Sequence, residues 1–452
     1  MPSMGVGNQL LRRDPVKPYV TFGLGYPAMK WVIAVVLTIP TILIVIDQQT
    51  LSILAPFLRD RFGITPQVYS IIVSGFLISF AVMYTVGGVL VDRFGERIAM
   101  AGFIAWFSVC TMLGGLAQGA VSLGISRVLL GIGQPGNYPA ALRACTRWFP
   151  KAERGVPIAL FSSGGAIGSI IAPPIIAALS LTLGWRAAFI LPGLFGFLWL
   201  ALWLAIYRAP QEYPGLTIAQ SASLDEGNDG SEGITHHWTS LLKDSNVFAL
   251  VLARFISDPV WIFYLFWIPE YLKRERGFTL MDMGLYAWIP YVGGAIGGMA
   301  GGWASDLLIA RGVTPAKARA RILYISAALA PLGMLTSQVH SAAMAILLIA
   351  VMAFVAFSWF INTAAIIPDL FPETVVGSVL GLMGTAGTAA GVLFSMLVGF
   401  LVTHYSYTPV FILVGTMHLL ASLILILLMK PKSALRPSKV NFAASHGSAG
   451  LL

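Results

Sequence analysis

A chain of 452 residues that is 57% hydrophobic and only 10% charged, with a mean hydropathy of +0.81, lies far from soluble domains, which average about 45–50% apolar and about 25% charged residues. It is read as an integral membrane protein, which excludes soluble enzymes and soluble binding modules. The formal net charge of +9 is then a matter of topology and of contact with anionic membrane lipid, not of nucleic-acid binding.

A helical crossing takes about 20 mostly apolar residues, and such runs recur with cores near 31–57, 67–91, 98–119, 121–142, 156–181, 184–207, 246–272, 283–308, 320–338, 341–365, 375–402 and 405–430. β-barrel strands would be about 9–11 residues with alternating polarity. The expected fold class is therefore an all-α membrane protein of twelve transmembrane helices in two six-helix bundles. The bundles span 31–207 and 246–430, between an N-terminal tail (1–30), a linker (208–245) and a C-terminal tail (431–452). The linker stretch "SASLDEGNDGSEGITHH" is too poor in apolar residues to bury a core. Its His236–His237 pair is not expected to hold a metal, and Cys110 and Cys145 fall in different predicted helices, so neither a disulfide nor a metal site is supported. No removable signal peptide is expected before the first crossing.

Lys and Arg flanking the crossings fix orientation, because they are retained on the cytoplasmic side. With odd-numbered helices leaving the cytoplasm, twenty basic residues fall inside and six outside. Both termini are thus expected in the cytoplasm, with the protein in the inner membrane. The halves also repeat. Gly88-x3-Asp92 after the second crossing matches Gly302-x3-Asp306 after the eighth, and Phe149-Pro150-x4-Gly155 matches Phe371-Pro372-x4-Gly377, at nearly equal offsets. Two parallel repeats of six helices place a binding site between them near mid-membrane. The glycines at 164, 168, 384, 387 and 391 have the spacing that lets helices pack closely.

Few charges lie inside the crossings. Asp47 in the first is a carboxylate that can alternate between protonated and charged forms, as proton coupling requires. Arg127 in the fourth sits about 12 Å below the start of its span at 1.5 Å per residue, and shares a helical face with Gly131, Gln134 and Tyr138. That face is expected to line a wet cavity, where a guanidinium offers a planar fork matched to a carboxylate. Arg254 and Asp258 in the seventh stand four apart, a spacing that allows a local neutralising pair. Gln134, Ser162 and Ser163 can hydrogen-bond a hydroxylated acid, Trp359 and Asn362 share one face of the tenth crossing, and Tyr264 is a further ligand-facing candidate. Gly95 suits a turn of positive φ, and Asp92 near a helix end can bridge to a neighbouring helix. No triad, histidine cluster or phosphate loop points to an enzyme.

The loop "GGVLVDRFGERIAM" resembles the signature between helices two and three of the major facilitator superfamily. From about residue 30 to 430 the chain is similar to that superfamily's anion:cation symporter branch. "GNYPAALRACTRWFPKAERG", "ISDPVWIFYLFWIPEYLKRERGF", "GLYAWIPYVGGAIG" and "WFINTAAIIPDLFP" look most like hexuronate permeases. The resemblance implies a monomeric secondary transporter of a small organic anion, with no cofactor, working by alternating access with protons. It implies anion binding at Arg127, coupling at Asp47, substrate contacts at Trp359 and Asn362, and a gating latch at Gly88, Asp92, Arg93, Gly95 and Arg97. The hexuronate-like pattern usually has an acid where this chain has Gln134, an arginine where it has Gln48 and a tyrosine where it has Phe80. Gln48 nevertheless stays among the candidate substrate contacts. These departures remove one proton carrier and two polar contacts, so uniport, or export of another carboxylate or amphipathic compound, stands as the alternative.

Overall fold

The computed structural model describes residues 25–150, 153–210, 241, 243–371 and 373–429. Residues 1–24 of the N-terminal tail, the C-terminal tail and most of the linker, including His236–His237, lie outside the described residues, while 26–30 already belong to the first helix. In chain order the helices are α1 (Tyr26–Phe62), α2 (Pro66–Gly115), α3 (Ala120–Gly133), α4 (Asn137–Trp148), α5 (Gly155–Leu183), α6 (Ala187–Ile206), α7 (Ser245–Phe266), α8 (Ile268–Arg276), α9 (Leu280–Tyr286), α10 (Ile289–Ala310), α11 (Pro315–Leu329) with a 3₁₀ continuation (Ala330–Ser337), α12 (Ala342–Leu370), α13 (Glu373–His404) and α14 (Thr408–Leu428).

Among the described residues, ten helical segments are long and apolar enough to cross a membrane. Two atypical crossings bring the fold to twelve. α10 is dense in glycine, and the fourth crossing is jointed, with α3 ending at Gly133 and α4 starting at Asn137. α2 holds two crossings, joined where Gly95 takes φ +76 and ψ +159, the positive φ that a side chain disfavours. Local start and stop chemistry is conventional: Thr65 accepts from the Val68 amide at 3.2 Å to start α2, and Gly63 ends α1 in the left-handed region.

The described chain forms two compact units. Of the described residues, unit 1 comprises 25–150, 153–210, 262–292 and 392–407; unit 2 comprises 241, 243–261, 293–371, 373–391 and 408–429. These boundaries do not follow the linker, because α7, α10 and α13 each contribute residues to both.

Within unit 1, α5 packs on α1 through glycine. A methyl group on Gly164 would lie 2.8 Å from the Thr38 carbonyl, and one on Gly168 3.0 Å from that of Ile42. A buried cluster of Tyr26, Trp148, Phe149, Trp199, Trp203 and Tyr207 fills one end, with the Tyr26 hydroxyl donating to the Trp148 carbonyl at 2.7 Å. At the other end Arg59 pairs with the buried Glu270, the Tyr69 hydroxyl donates to the Phe266 carbonyl at 2.8 Å, and Trp267 Nε1 donates to Ser395 Oγ at 3.2 Å.

Unit 2 closes in the same way, with Gly293 of α10 against the backbone of Ala350 on α12 and a core that includes Leu323, Trp359, Ile366 and Ala421. Glycine spacing does not mean close packing everywhere. Around Gly384 a methyl group would meet nothing within 4 Å, so that glycine is not a packing residue here.

Candidate functional site

α1 carries Asp47 into the middle of unit 1, and α3 brings Arg127 against it. Arg127 Nη1 donates to Asp47 Oδ2 at 3.0 Å, with the two side chains 2% and 0% exposed. Gln134, at the end of α3, donates from Nε2 to the same oxygen over a long 3.4 Å. Gln48, one residue after Asp47, donates to Gln134 Oε1 at 2.9 Å. The four side chains make one network of a cation, an anion and two amides.

The rest of the guanidinium is held by shape. The Phe189 ring on α6 lies under it, 5.0 Å from centroid to Cζ, a cation–π geometry. Gly114, at the end of α2, gives the group its space, since a methyl group there would lie 2.6 Å from Nη2. The Nε and Nη2 donors of Arg127 are buried and have no acceptor. In a planar guanidinium those two N–H groups form one edge, the edge that takes a carboxylate side-on.

Two expectations from the sequence need correcting. Arg127 does not line an open cavity but is sealed among α1, α2 and α6, because the helix ends at Gly133 and the face shared with Tyr138 is broken. Gly131 on that face is close-packed on α2 against the Phe76 carbonyl. Its neighbour on that face, Gln134, is likewise buried, whereas Tyr138, in the next helix, is exposed.

The other candidates separate. Ser162 is exposed and Ser163 half-buried on α5, the latter donating to the Leu160 carbonyl at 2.6 Å. Tyr264 belongs to unit 1 and is buried, with no partner for its hydroxyl. Trp359 and Asn362 lie in unit 2 and are sealed in its core. Asn362 Nδ2 donates to the Ser358 carbonyl one turn back at 2.9 Å, and Trp359 meets the buried His418 edge-on at 5.2 Å. Arg254 and Asp258, also of unit 2, form the local pair their spacing allowed, at 2.8 Å.

The loop motif is brought together more fully. Arg143 of α4 donates from Nη1 to Asp92 Oδ1 and to the Val91 carbonyl, both at 3.0 Å. Arg97 donates to the Leu204 carbonyl at 2.8 Å, while Arg93 is exposed beside Phe94 and a methyl group at Gly88 would meet nothing within 4 Å.

Glu96, which the sequence reading passed over, is the centre of this cluster. It is 1% exposed and accepts from Arg147 at 2.8 Å and from the Tyr207 hydroxyl at 2.8 Å. The signal was a single acid between Gly95 and Arg97, inside a basic loop. In the second repeat Asp306 pairs with Arg319 at 3.1 Å, so each repeat ties its aspartate to an arginine of a later helix. Among the described residues no group of three or more metal-ligating side chains occurs.

Comparison with known proteins gives a consistent result. The family model described as Major Facilitator Superfamily matches residues 37–395 and 319–448. The hexuronate transporter of Escherichia coli strain K12 is 27% identical over 416 residues, covering 90% of this chain and 95% of that protein. The D-galactonate transporter of Escherichia coli O6:H1 is 25% identical over 412 residues, covering 88% and 95%. Among solved structures, the inward-open xylose transporter XylE of Escherichia coli superposes with a TM-score of 0.70 at 17% identity, covering 90% of this chain and 98% of that one.

Proposed function

The chain belongs to the Major Facilitator Superfamily, and from that premise we propose that it is a secondary active transporter of a small carboxylate of the sugar-acid kind, moved by alternating access and coupled to protons. It is a multi-pass membrane transporter and not an enzyme. Relatives named for hexuronate and galactonate support the substrate class. Bacterial relatives support residence in the inner membrane, basic-residue placement supports both termini cytoplasmic, and the internal repeat supports moving bodies of six helices each, 31–207 and 246–430; the transporter is read as a monomer.

The observation that carries the proposal is the Asp47–Arg127 pair, with its unaccepted Nε–Nη2 edge. A guanidinium inside a membrane faces a large desolvation cost unless paired, and Asp47 meets that need at rest. A substrate carboxylate can replace Asp47 only if Asp47 is neutral at that moment, because two carboxylates on one guanidinium would leave a buried net negative charge. Proton uptake at Asp47 therefore frees Arg127 for the anion, and departure of the anion returns Arg127 to Asp47. Gln134 holds the freed aspartic acid by its amide, and Gln48 in turn holds Gln134. Ser162 and Ser163 offer hydroxyls to the substrate, and Tyr264, Trp359 and Asn362 are further candidate substrate contacts. Gly88, Asp92, Arg93, Gly95 and Arg97, with Glu96, form the latch that holds one state of the cycle.

Uptake of radiolabelled hexuronate into proteoliposomes, driven by an inward pH gradient, tests this. Arg127→Ala combined with Asp47→Asn, which keeps the interior neutral, is expected to abolish uptake while the protein stays folded; undiminished uptake overturns the role of the pair. The Gln48–Gln134 contact favours one second reading, uniport, because it supplies amides where a further acid could have stood. Accumulation that ignores the pH gradient would select it.

A further inference from the structure

We propose that Asp258 is a second proton-exchange site of the transport cycle, with Arg254 as its counter-charge, so that unit 2 carries its own carboxylate-for-anion switch. The proposal rests on the reading of the chain as a proton-coupled anion carrier and extends it to a pair that the sequence alone would assign to structure.

Four observations carry it. Arg254 Nε and Nη2 both donate to Asp258 Oδ2, at 2.9 and 2.8 Å, so one edge of the guanidinium is committed to one carboxylate oxygen. The Phe360 ring on α12 covers the guanidinium face at 4.3 Å. On α13 the carboxylate is met by Gly387, whose missing side chain lets it approach the helix backbone. And the Asp258 side chain is 17% exposed, against 0% for Asp47. Asp258 is thus the more exposed of these two aspartates, and a charged side chain left open within a crossing faces a water-filled cavity rather than acyl chains.

A purely structural pair has no use for that exposure. A carboxylate inside a crossing that touches both water and a single cation is placed to exchange a proton with the water. Around Asp258 the charged group is Arg254 on its own helix, beside the neutral Ser257; α12 presents Phe360 and α13 presents Gly387, neither of which titrates. Protonation of Asp258 therefore leaves Arg254 without a counter-charge, and a guanidinium in that position favours the arrival of another anion. The exchange is charge-balanced: aspartate paired with Arg254, plus a proton and a substrate carboxylate, gives aspartic acid and Arg254 paired with the substrate. No covalent bond changes.

The test is equilibrium binding of D-galacturonate to the full-length purified protein across pH 5 to 8. Each proton taken up with the anion adds about one decade of affinity per pH unit. Asp258→Asn, and the charge-balanced Asp258→Asn with Arg254→Gln, are expected to flatten the dependence by about tenfold per pH unit relative to wild type. Gly387→Ala, which crowds the carboxylate without removing it, is expected to flatten it in part. A wild-type slope in the charge-balanced variant overturns the proposal and leaves transport by way of Asp47 standing. Absence of pH-dependent binding of any sugar acid to the wild-type protein overturns the carrier reading and this proposal with it.

Discussion

In unit 1 the guanidinium of Arg127 reaches a carboxylate 80 positions away in sequence, across two helices and in complete burial. In unit 2 Arg254 takes one four residues on, along a single helix, with the acid 17% exposed. Both pairs neutralise a cation within a crossing, yet they differ in what they constrain. The tertiary pair ties α1 to α3 and cannot lose either member without stranding a charge in the interior. The local pair asks of the tertiary fold only room for a carboxylate beside Gly387 and the Phe360 ring over the guanidinium. Long-range pairing thus makes Arg127 a fastener as well as a candidate anion-binding group, whereas the Arg254–Asp258 ion pair fastens no second helix.

That contrast can be broken by experiment. The largest effect is expected for Arg127→Ala alone, which leaves Asp47 buried without its cation and should lower stability by about 3–5 kcal/mol, read as thermal unfolding in detergent; adding Asp47→Asn should recover most of it. Gly114→Ala should cost about 1–3 kcal/mol by overpacking the Nη2 side of Arg127, with loss of hexuronate affinity in the same preparation. Arg254→Ala should cost less than Arg127→Ala, because the acid it strands is 17% exposed where Asp47 is fully buried; a cost equal to that of Arg127→Ala would erase the distinction between the pairs. Smallest is Gln48→Ala, where one neutral hydrogen bond to Gln134 is lost for about 0.5–1.5 kcal/mol, and where the pH dependence of binding should remain.

How far the sequence revealed this follows the range of the contacts. Runs of apolar residues marked the crossings because a membrane imposes its thickness on the chain. The jointed fourth crossing was legible as a run but not as two helices, since nothing in hydropathy separates Gly133 from Asn137. Arg254 and Asp258 were paired on spacing alone, because helix geometry turns four residues into one neighbour. Asp47 and Arg127 were each singled out as costly in a membrane, but no local rule brings the first helix to the fourth, and the predicted wet face of Arg127 proved sealed. Gln48 and Gln134 were noticed separately as departures from the family pattern. Their contact explains why two changes belong together: where one partner is an amide, the other is satisfied by an amide as well. Glu96 was missed because an acid flanked by loop arginines looks like a solvated surface, and only the fold buries it under Tyr207.

Gly387 gives the Arg254–Asp258 pair an outward mark. Since any side chain at that position collides with the Asp258 carboxylate, a related chain that keeps the aspartate but fills the glycine has to seat its acid elsewhere. One missing methyl group on α13 therefore serves as a fingerprint, by which carriers holding this second charge pair can be sorted from those that merely share its letters.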